Sequence, residues 1–207
     1  MVRDGYWYGL PLLLAAVLLL FLRLFIPASL FLLISIFVLN FFRDPERRIP
    51  TDPRAIVSPA DGKVVQIVEE QLEGKPVKRL SIFMSPLNVH VNRAPIPGII
   101  KQVVYRPGSF QIASKPTASV ENEQNVFTVE GDLGRVVVKQ IAGAVARRIV
   151  FWKRLGDRLS RGERVGMIKF GSRVDVIVEA DAEWNVKVGD RVQAGSSILG
   201  FATPKSK

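Results

Sequence analysis

The chain contains no cysteine and a single histidine, His90. The first absence excludes disulfides, thiolate zinc sites, iron–sulfur clusters and cysteine nucleophiles, and the second excludes a histidine-rich metal centre. Acidic residues are also in short supply: 19 Asp+Glu face 29 Lys+Arg, a net charge of +10 over 207 residues. A disordered basic tail is excluded all the same, because 48% of the residues are hydrophobic and disordered chains lack that apolar content. The length is one to two domains' worth, enough to bury one good core. Charge and apolar content together fit a membrane-associated body facing anionic lipid.

The apolar residues are concentrated at the front. From Gly9 to Phe42 the only charge is Arg23. Leu10–Leu22 and Leu24–Leu39 are 13 and 16 residues long, each short of the roughly 20 that span a bilayer as a straight helix. Arg23 and Pro27-Ala28-Ser29 could break the run into a helical hairpin, since proline inside a helix removes a hydrogen bond; a single tilted or kinked span is the other arrangement. Tyr6, Trp7 and Tyr8 precede the run, where amphipathic rings favour the headgroup region. A cleaved signal peptide fits less well, because the apolar stretch exceeds the usual core of about 7–15 residues and only Arg3, followed by Asp4, charges its front. Arg43, Arg47, Arg48 and Arg54 follow closely, which by the positive-inside rule puts the body on the cytoplasmic side of the cell membrane. Residues 1–42 therefore read as an uncleaved anchor, 43–57 as a linker and 58–207 as the working domain.

That domain reads as mainly β. Val64–Val68, Lys78–Met84, Ile99–Tyr105, Asn125–Val129, Arg135–Ile141, Val145–Phe151, Val174–Val178 and Ser197–Phe201 are short strand-like runs bounded by Gly, Pro and Asn. No sustained helical period intervenes, so a barrel-sandwich-like β body is expected. Val188-Gly-Asp-Arg-Val-Gln-Ala-Gly resembles the hairpins of biotinyl/lipoyl-type domains, but no lysine is displayed at a hairpin tip as a carrier would need. Arg3 and Arg23 against Asp4 leave +1 on residues 1–42, so +9 of the total falls on the remainder. No helix-turn-helix, zinc finger or aromatic RNA motif accompanies this charge, so nucleic acid is not an expected partner. Beside a membrane anchor, anionic lipid explains it better, at about 1 kcal/mol per basic residue near the surface.

Three places carry candidate chemistry. His90 lies at a strand end among Ser85, Asn88, Asn92 and Arg93; so many polar side chains suggest a lined pocket. Asp61, in Pro59-Ala-Asp-Gly, is ordinary turn chemistry on composition alone. Gly171-Ser172 lies between two β-like runs and by default is a turn or bulge. Together a serine, a histidine and an aspartate are the parts of a nucleophile–base–orienter set. The Gly-x-Ser-x-Gly elbow of ordinary hydrolases is missing.

The body resembles the phosphatidylserine decarboxylase proenzymes, in particular their short branch. The resemblance runs through Phe41-Phe-Arg-Asp-Pro-Glu-Arg, Ser58-Pro-Ala-Asp-Gly-Lys-Val and Ile82-Phe-Met-Ser-Pro-Leu-Asn-Val-His-Val-Asn-Arg-Ala-Pro. It continues through Glu121-Asn-Glu-Gln-Asn, Gln140-Ile-Ala-Gly-Ala-Val-Ala-Arg-Arg-Ile and Gly162-Glu-Arg-Val-Gly-Met-Ile-Lys-Phe-Gly-Ser-Arg-Val-Asp. Nearly all of 41–203 is covered, in family order.

The resemblance implies a self-processing enzyme whose cofactor is a pyruvoyl group made from its own serine. Ser172 would attack the Gly171 carbonyl, with His90 as base and Asp61 orienting and stabilising the imidazolium. β-Elimination would then separate a 1–171 chain from a 172–207 chain, and the two would stay associated. The mature group would form a Schiff base with the serine headgroup and accept the electrons released with CO₂, and His90 would supply the returning proton. The implied partners are the membrane and an anionic phospholipid substrate, with either a diacyl or an archaeal ether backbone; a homo-oligomer is compatible with the sequence. Longer members carry a second histidine where this chain has Asn92 and Arg93, and a small hydroxyl residue where it has Arg173. The competing reading is a non-enzymatic, membrane-anchored barrel-sandwich adaptor.

Overall fold

The computed structural model describes residues 1–109, 121–143, 148–169 and 171–203. Two compact units are distinguished, Met1–Glu46 and Arg47–Lys207.

The first unit is a helical hairpin of α1, Arg3–Phe21, and α2, Phe25–Phe41. Arg23 adopts a left-handed φ of 60°, and the turn closes by two bonds, Leu24 N–H to the Leu19 carbonyl and Arg23 N–H to the Leu20 carbonyl. These are carbonyls that the end of α1 would otherwise leave unmatched. The break thus falls at Arg23 alone. Pro27 sits in the first turn of α2, where a missing N–H is of no consequence. At Gly9 the helices approach so closely that a Cβ would collide with the Leu39 side chain, and the Gly9 carbonyl accepts a 2.9 Å bond from Ser35 Oγ. Leu14, Leu18, Phe21, Ile26 and Leu33 point outward and are more than half exposed. Helix α1 is long and apolar enough to cross a membrane, and α2 is a shorter apolar helix. A helix pair that buries so little of its apolar surface on itself suggests membrane association.

The second unit is mainly β. Its strands are β1 Ala55–Val57, β2 Gly62–Leu72, β3 Lys75–Met84, β4 Val91–Arg93, β5 Gly98–Arg106, β6 Gln124–Gly131 and β7 Gly134–Ala142. They continue with β8 Arg148–Phe151, β9 Arg158–Leu159, β10 Arg164–Lys169, β11 Ser172–Glu179, β12 Glu183–Trp184, β13 Arg191–Val192 and β14 Ile198–Phe201. An eight-stranded antiparallel sheet, ordered β13-β2-β3-β11-β7-β6-β5-β9, curls into a half-barrel, and two three-stranded sheets, β4-β10-β8 and β1-β14-β12, complete the body. Every strand expected from the sequence is present with boundaries moved by a few residues; of Val145–Phe151, residues 145–147 lie outside the described residues. Ala55–Val57, placed in the linker by composition, forms β1 against β14.

Local chemistry accounts for the sheet. The β2–β3 hairpin turns through Glu73 and Gly74, both at positive φ, as a two-residue turn matched to strand twist requires. Arg135 steadies this strained non-glycine position by donating to both Glu73 carboxylate oxygens. Along β11 the side chains alternate: Val174, Val176 and Val178 enter the main core with Leu80, Ile82, Phe127 and Val138, while Ile177 joins a small cluster on the opposite face. Each such burial contributes about 1.5–3 kcal/mol. Strand β10 pairs with both β4 and β8 through Gly166, where a Cβ would collide with the Val150 carbonyl oxygen. Gly166→Ala should therefore lower the stability of the full chain in detergent by about 2 kcal/mol, read as a fall in its denaturation midpoint; an unchanged midpoint contradicts this close approach.

Candidate active site

Ser172 opens β11, the strand held between β3 and β7, with Met84 and Ala142 as its register partners. Alternation along the strand turns Ser172 to the core face with Val174, and it is fully buried. Its Oγ donates to Met84 Sδ at 3.3 Å. Thioether sulfur is a weak acceptor, so the hydroxyl is held in place without being strongly stabilised. Gly171, immediately before, adopts φ +60°, and a Cβ there would meet nothing within 4 Å. Glycine is favoured at this position by its left-handed backbone.

His90 is equally buried. The preceding turn is closed by the Asn88 side chain, whose Oδ1 accepts from both the Ser85 N–H and Ser85 Oγ at 2.9 Å. The Asn88 carbonyl then lies 2.9 Å from His90 Nδ1. A carbonyl only accepts, so this contact places the proton on Nδ1 and makes Nε2 the basic nitrogen. The His90 carbonyl accepts from Ile168 N–H on β10. From there β10 ends at Lys169, and β11 begins at Ser172. The pairing of β4 with β10 therefore brings the histidine strand alongside the segment that leads into Gly171–Ser172.

Two residues beyond His90, Asn92 reaches the same sulfur as Ser172. Its Nδ2 lies 3.8 Å from Met84 Sδ and 3.4 Å from the Pro59 carbonyl. The amide is oriented by a buried relay, since Gln140 Nε2 donates to Asn92 Oδ1 and Asn125 Nδ2 donates to Gln140 Oε1, both at 2.9 Å. Gln140 and Asn125 lay within motifs noted in the sequence but were not singled out there. Their signal was an amide side chain beside the apolar runs Val126-Phe127 and Val136-Val137-Val138. Arg93 is buried and donates to the Gly162 carbonyl at 3.0 Å.

Asp61 is placed differently from the other two. Arg47 Nη2 donates to both of its oxygens at 3.0 and 2.9 Å, and the Ala194 N–H donates to Oδ1 at 2.8 Å. The hydrogen bond at His90 Nδ1 goes to Asn88, and those of Asp61 go to Arg47 and Ala194. Asp61 and Asn88 nevertheless line one cleft of about 470 Å³, together with Lys63, Ser85, Leu87 and Arg191. Lys63 and Arg191 face each other across β2 and β13, an arrangement of like charges that disfavours pairing unless an anion lies between them. On the other side of β11, Lys139 stands opposite Asp175; burial holds its ammonium below the usual lysine range, against the pull of Asp175 and Glu70. Among the described residues no cluster of His, Asp and Glu is arranged to hold a metal ion.

Comparison with known proteins identifies relatives along nearly the whole chain. The phosphatidylserine decarboxylase family model matches residues 34–200. The phosphatidylserine decarboxylase proenzyme of Solibacter usitatus is 50% identical over 198 residues, covering 96% of this chain and 95% of that protein. That of Salinibacter ruber is 50% identical over 178 residues, covering 82% and 78%. The Cupriavidus pinatubonensis proenzyme is 41% identical over 199 residues, covering 94% and 83%.

Arg47 and Asp61 form a largely buried pair, with side chains 8% and 12% exposed. Arg47→Met would leave the Asp61 carboxylate with the Ala194 N–H alone and should cost about 3 kcal/mol in chemical denaturation. Adding Asp61→Asn to Arg47→Met should recover part of that loss.

Proposed function

The chain belongs to the phosphatidylserine decarboxylase proenzyme family, and we propose that it cuts itself between Gly171 and Ser172 and that Ser172 becomes its pyruvoyl group. The activity is the family's: self-processing, then pyruvoyl-dependent decarboxylation of phosphatidylserine to the ethanolamine lipid. The observation that carries the site assignment is the placement of Ser172. It is a fully buried serine at the head of a central strand, directly after a left-handed glycine, and the preceding strand β10 bonds the His90 carbonyl through Ile168 N–H. Residues of the right chemistry are present for the group: a buried serine, a glycine before it that leaves the bond approachable, and a base of defined tautomer bonded through its backbone to β10.

In maturation Ser172 Oγ attacks the Gly171 carbonyl carbon. The C–O bond forms, the C–N bond breaks, and the liberated amine takes a proton, which converts the amide to an ester. His90 Nε2 accepts the hydroxyl proton, its ring held by the Asn88 carbonyl. For Asp61 the proposed role is a supporting one: held by Arg47 and Ala194, it lines the same cleft as Asn88, whose carbonyl holds the His90 ring. Loss of the Ser172 Cα proton with cleavage of the Cβ–O bond then frees the Gly171 carboxylate, and hydrolysis releases the nitrogen as ammonia. Once formed, the pyruvoyl group supplies an electron sink for the pair left when the headgroup loses CO₂. His90, by the same tautomer argument, holds the proton returned to the headgroup carbon.

The surroundings support a lipid substrate. Lys63 and Arg191 give the cleft beside Asp61 and Asn88 a paired positive rim suited to a headgroup phosphate. The basic residues Arg43, Arg48 and Arg54 that follow α2 favour a body on the cytoplasmic side. After the cut, the 172–207 chain would still contribute β11 to the large sheet and β14 to the centre of a small one, so the two chains stay associated.

Mass spectrometry of the purified protein should show pieces of 171 and 36 residues, with residue 172 carrying the modification. An intact wild-type chain with an unmodified Ser172 contradicts the proposal. Ser172→Ala should remain uncut and inactive, and His90→Ala should remain uncut; a fully cut His90→Ala removes His90 from the base role. Replacing Lys63 and Arg191 together by Glu should raise the apparent KM for phosphatidylserine vesicles about tenfold or more, with cleavage at the wild-type rate.

A further inference from the structure

Maturation creates a mechanical problem at the head of β11. In the uncut chain Ser172 is tethered covalently on both sides. In the cut chain it is a terminus, and the loss of its nitrogen removes the N–H with which its peptide unit could donate to a neighbouring strand. Chain ends fray unless tied down. A slip of two residues along the sheet would carry the reactive carbonyl about 7 Å from its place.

The side chain next to that terminus is Arg173. Strand alternation turns it to the face opposite Ser172, where it is 1% exposed. Its Nε donates to Asp175 Oδ1 at 2.7 Å, and its Nη2 donates to Ser81 Oγ at 2.6 Å and to Gln66 Oε1 at 2.9 Å. One guanidinium thereby joins β11 to β3 and, across β3, to β2. The contact continues as a chain of alternating charge: Asp175 faces Arg79 at 3.6 Å, and Arg79 pairs with Glu70 at 2.9 Å. A buried ion pair is seldom the most stable way to fill a sheet face, since apolar residues do as well or better. What an apolar pair lacks is direction. A planar fork bonded to three partners fixes position along the strand, and strand register is otherwise easily lost where no side chain specifies it.

We infer that Arg173 is the positioning residue that holds the pyruvoyl-bearing end of the mature chain in register. The inference rests on cleavage at Gly171–Ser172. Arg173 lies behind the sheet from Ser172, so it acts through the strand.

Hydrogen exchange of the full chain in detergent, followed by mass spectrometry, separates this role from simple structural support. Arg173→Met and Ser81→Ala are each compared in the self-cleaved protein and in a Ser172→Ala background that stays uncut. The acceleration at the amides of residues 173–177, each variant against its own parent, should be about tenfold or more greater in the cleaved background than in the uncut one. In the cleaved variants kcat should fall while KM is kept. Equal acceleration in both forms, or parental exchange in the cleaved form, overturns the inference. If Arg173→Met does not accumulate, the same two outcomes for Ser81→Ala decide. A wild-type protein that stays as one chain overturns the cleavage reading and this inference with it, and its mass shows that before any exchange is measured.

Discussion

The proposed chemistry of this body depends on β11 lying in the interior of its sheet. Pairing with β3 on one side and β7 on the other fixes where Ser172 sits, which way its hydroxyl points and which sulfur it meets. The alternation of the strand then assigns its two faces to different tasks. The serine side joins the aliphatic core, in a setting dry enough to keep a weakly held hydroxyl from water. The other side carries Arg173 and Asp175, charges that a protein buries only with partners. A reactive group at a loop tip would be simpler to expose, but it would lack this double ladder. Sites built on strands are held more precisely than sites on loops.

Much of this was legible in the sequence. Strands β2, β3, β5, β6, β7, β8, β11 and β14 announced themselves by short runs rich in Val, Ile, Leu and Phe between turn residues, because each must present one face to the core. Strands β4 and β10 did not. They are short, and at the centre of β10 the Val150 carbonyl leaves room only for Gly166, a circumstance set by its pairing with β8 and invisible in the run itself. The same holds for Asp61. A serine, a histidine and an aspartate suggest a template in which the acid orients the ring. In the structure the ring is oriented by a carbonyl two residues away, and the acid is gripped by Arg47. Spacing could not show this, since a guanidinium and an imidazole are equally suitable partners for a carboxylate until the fold brings one of them near.

Charge tells a similar story. Counted from composition, the body carries +9, which reads as a uniformly basic surface. Several of those cations are internal: Arg47, Arg79, Arg93 and Arg173 are buried or half-buried, each bonded to a carboxylate, hydroxyl, amide or carbonyl oxygen. The positive field offered to a lipid surface therefore comes from fewer residues, among them the exposed Lys63, Arg148, Arg154 and Arg191. Their placement matters more than the total, because two of them stand at the cleft beside Asp61 and Asn88.

The contact between Ser172 and Met84 joins residues 88 positions apart. Pairings so distant form late, after the intervening chain has been organised. With the proposed cut at Gly171–Ser172, cleavage would have to wait until the large sheet has closed, and would serve as an internal inspection of folding. Molecules that close the sheet wrongly never acquire an electrophile and remain chemically inert. The fraction cut is then a permanent tally of how many chains once reached the native arrangement.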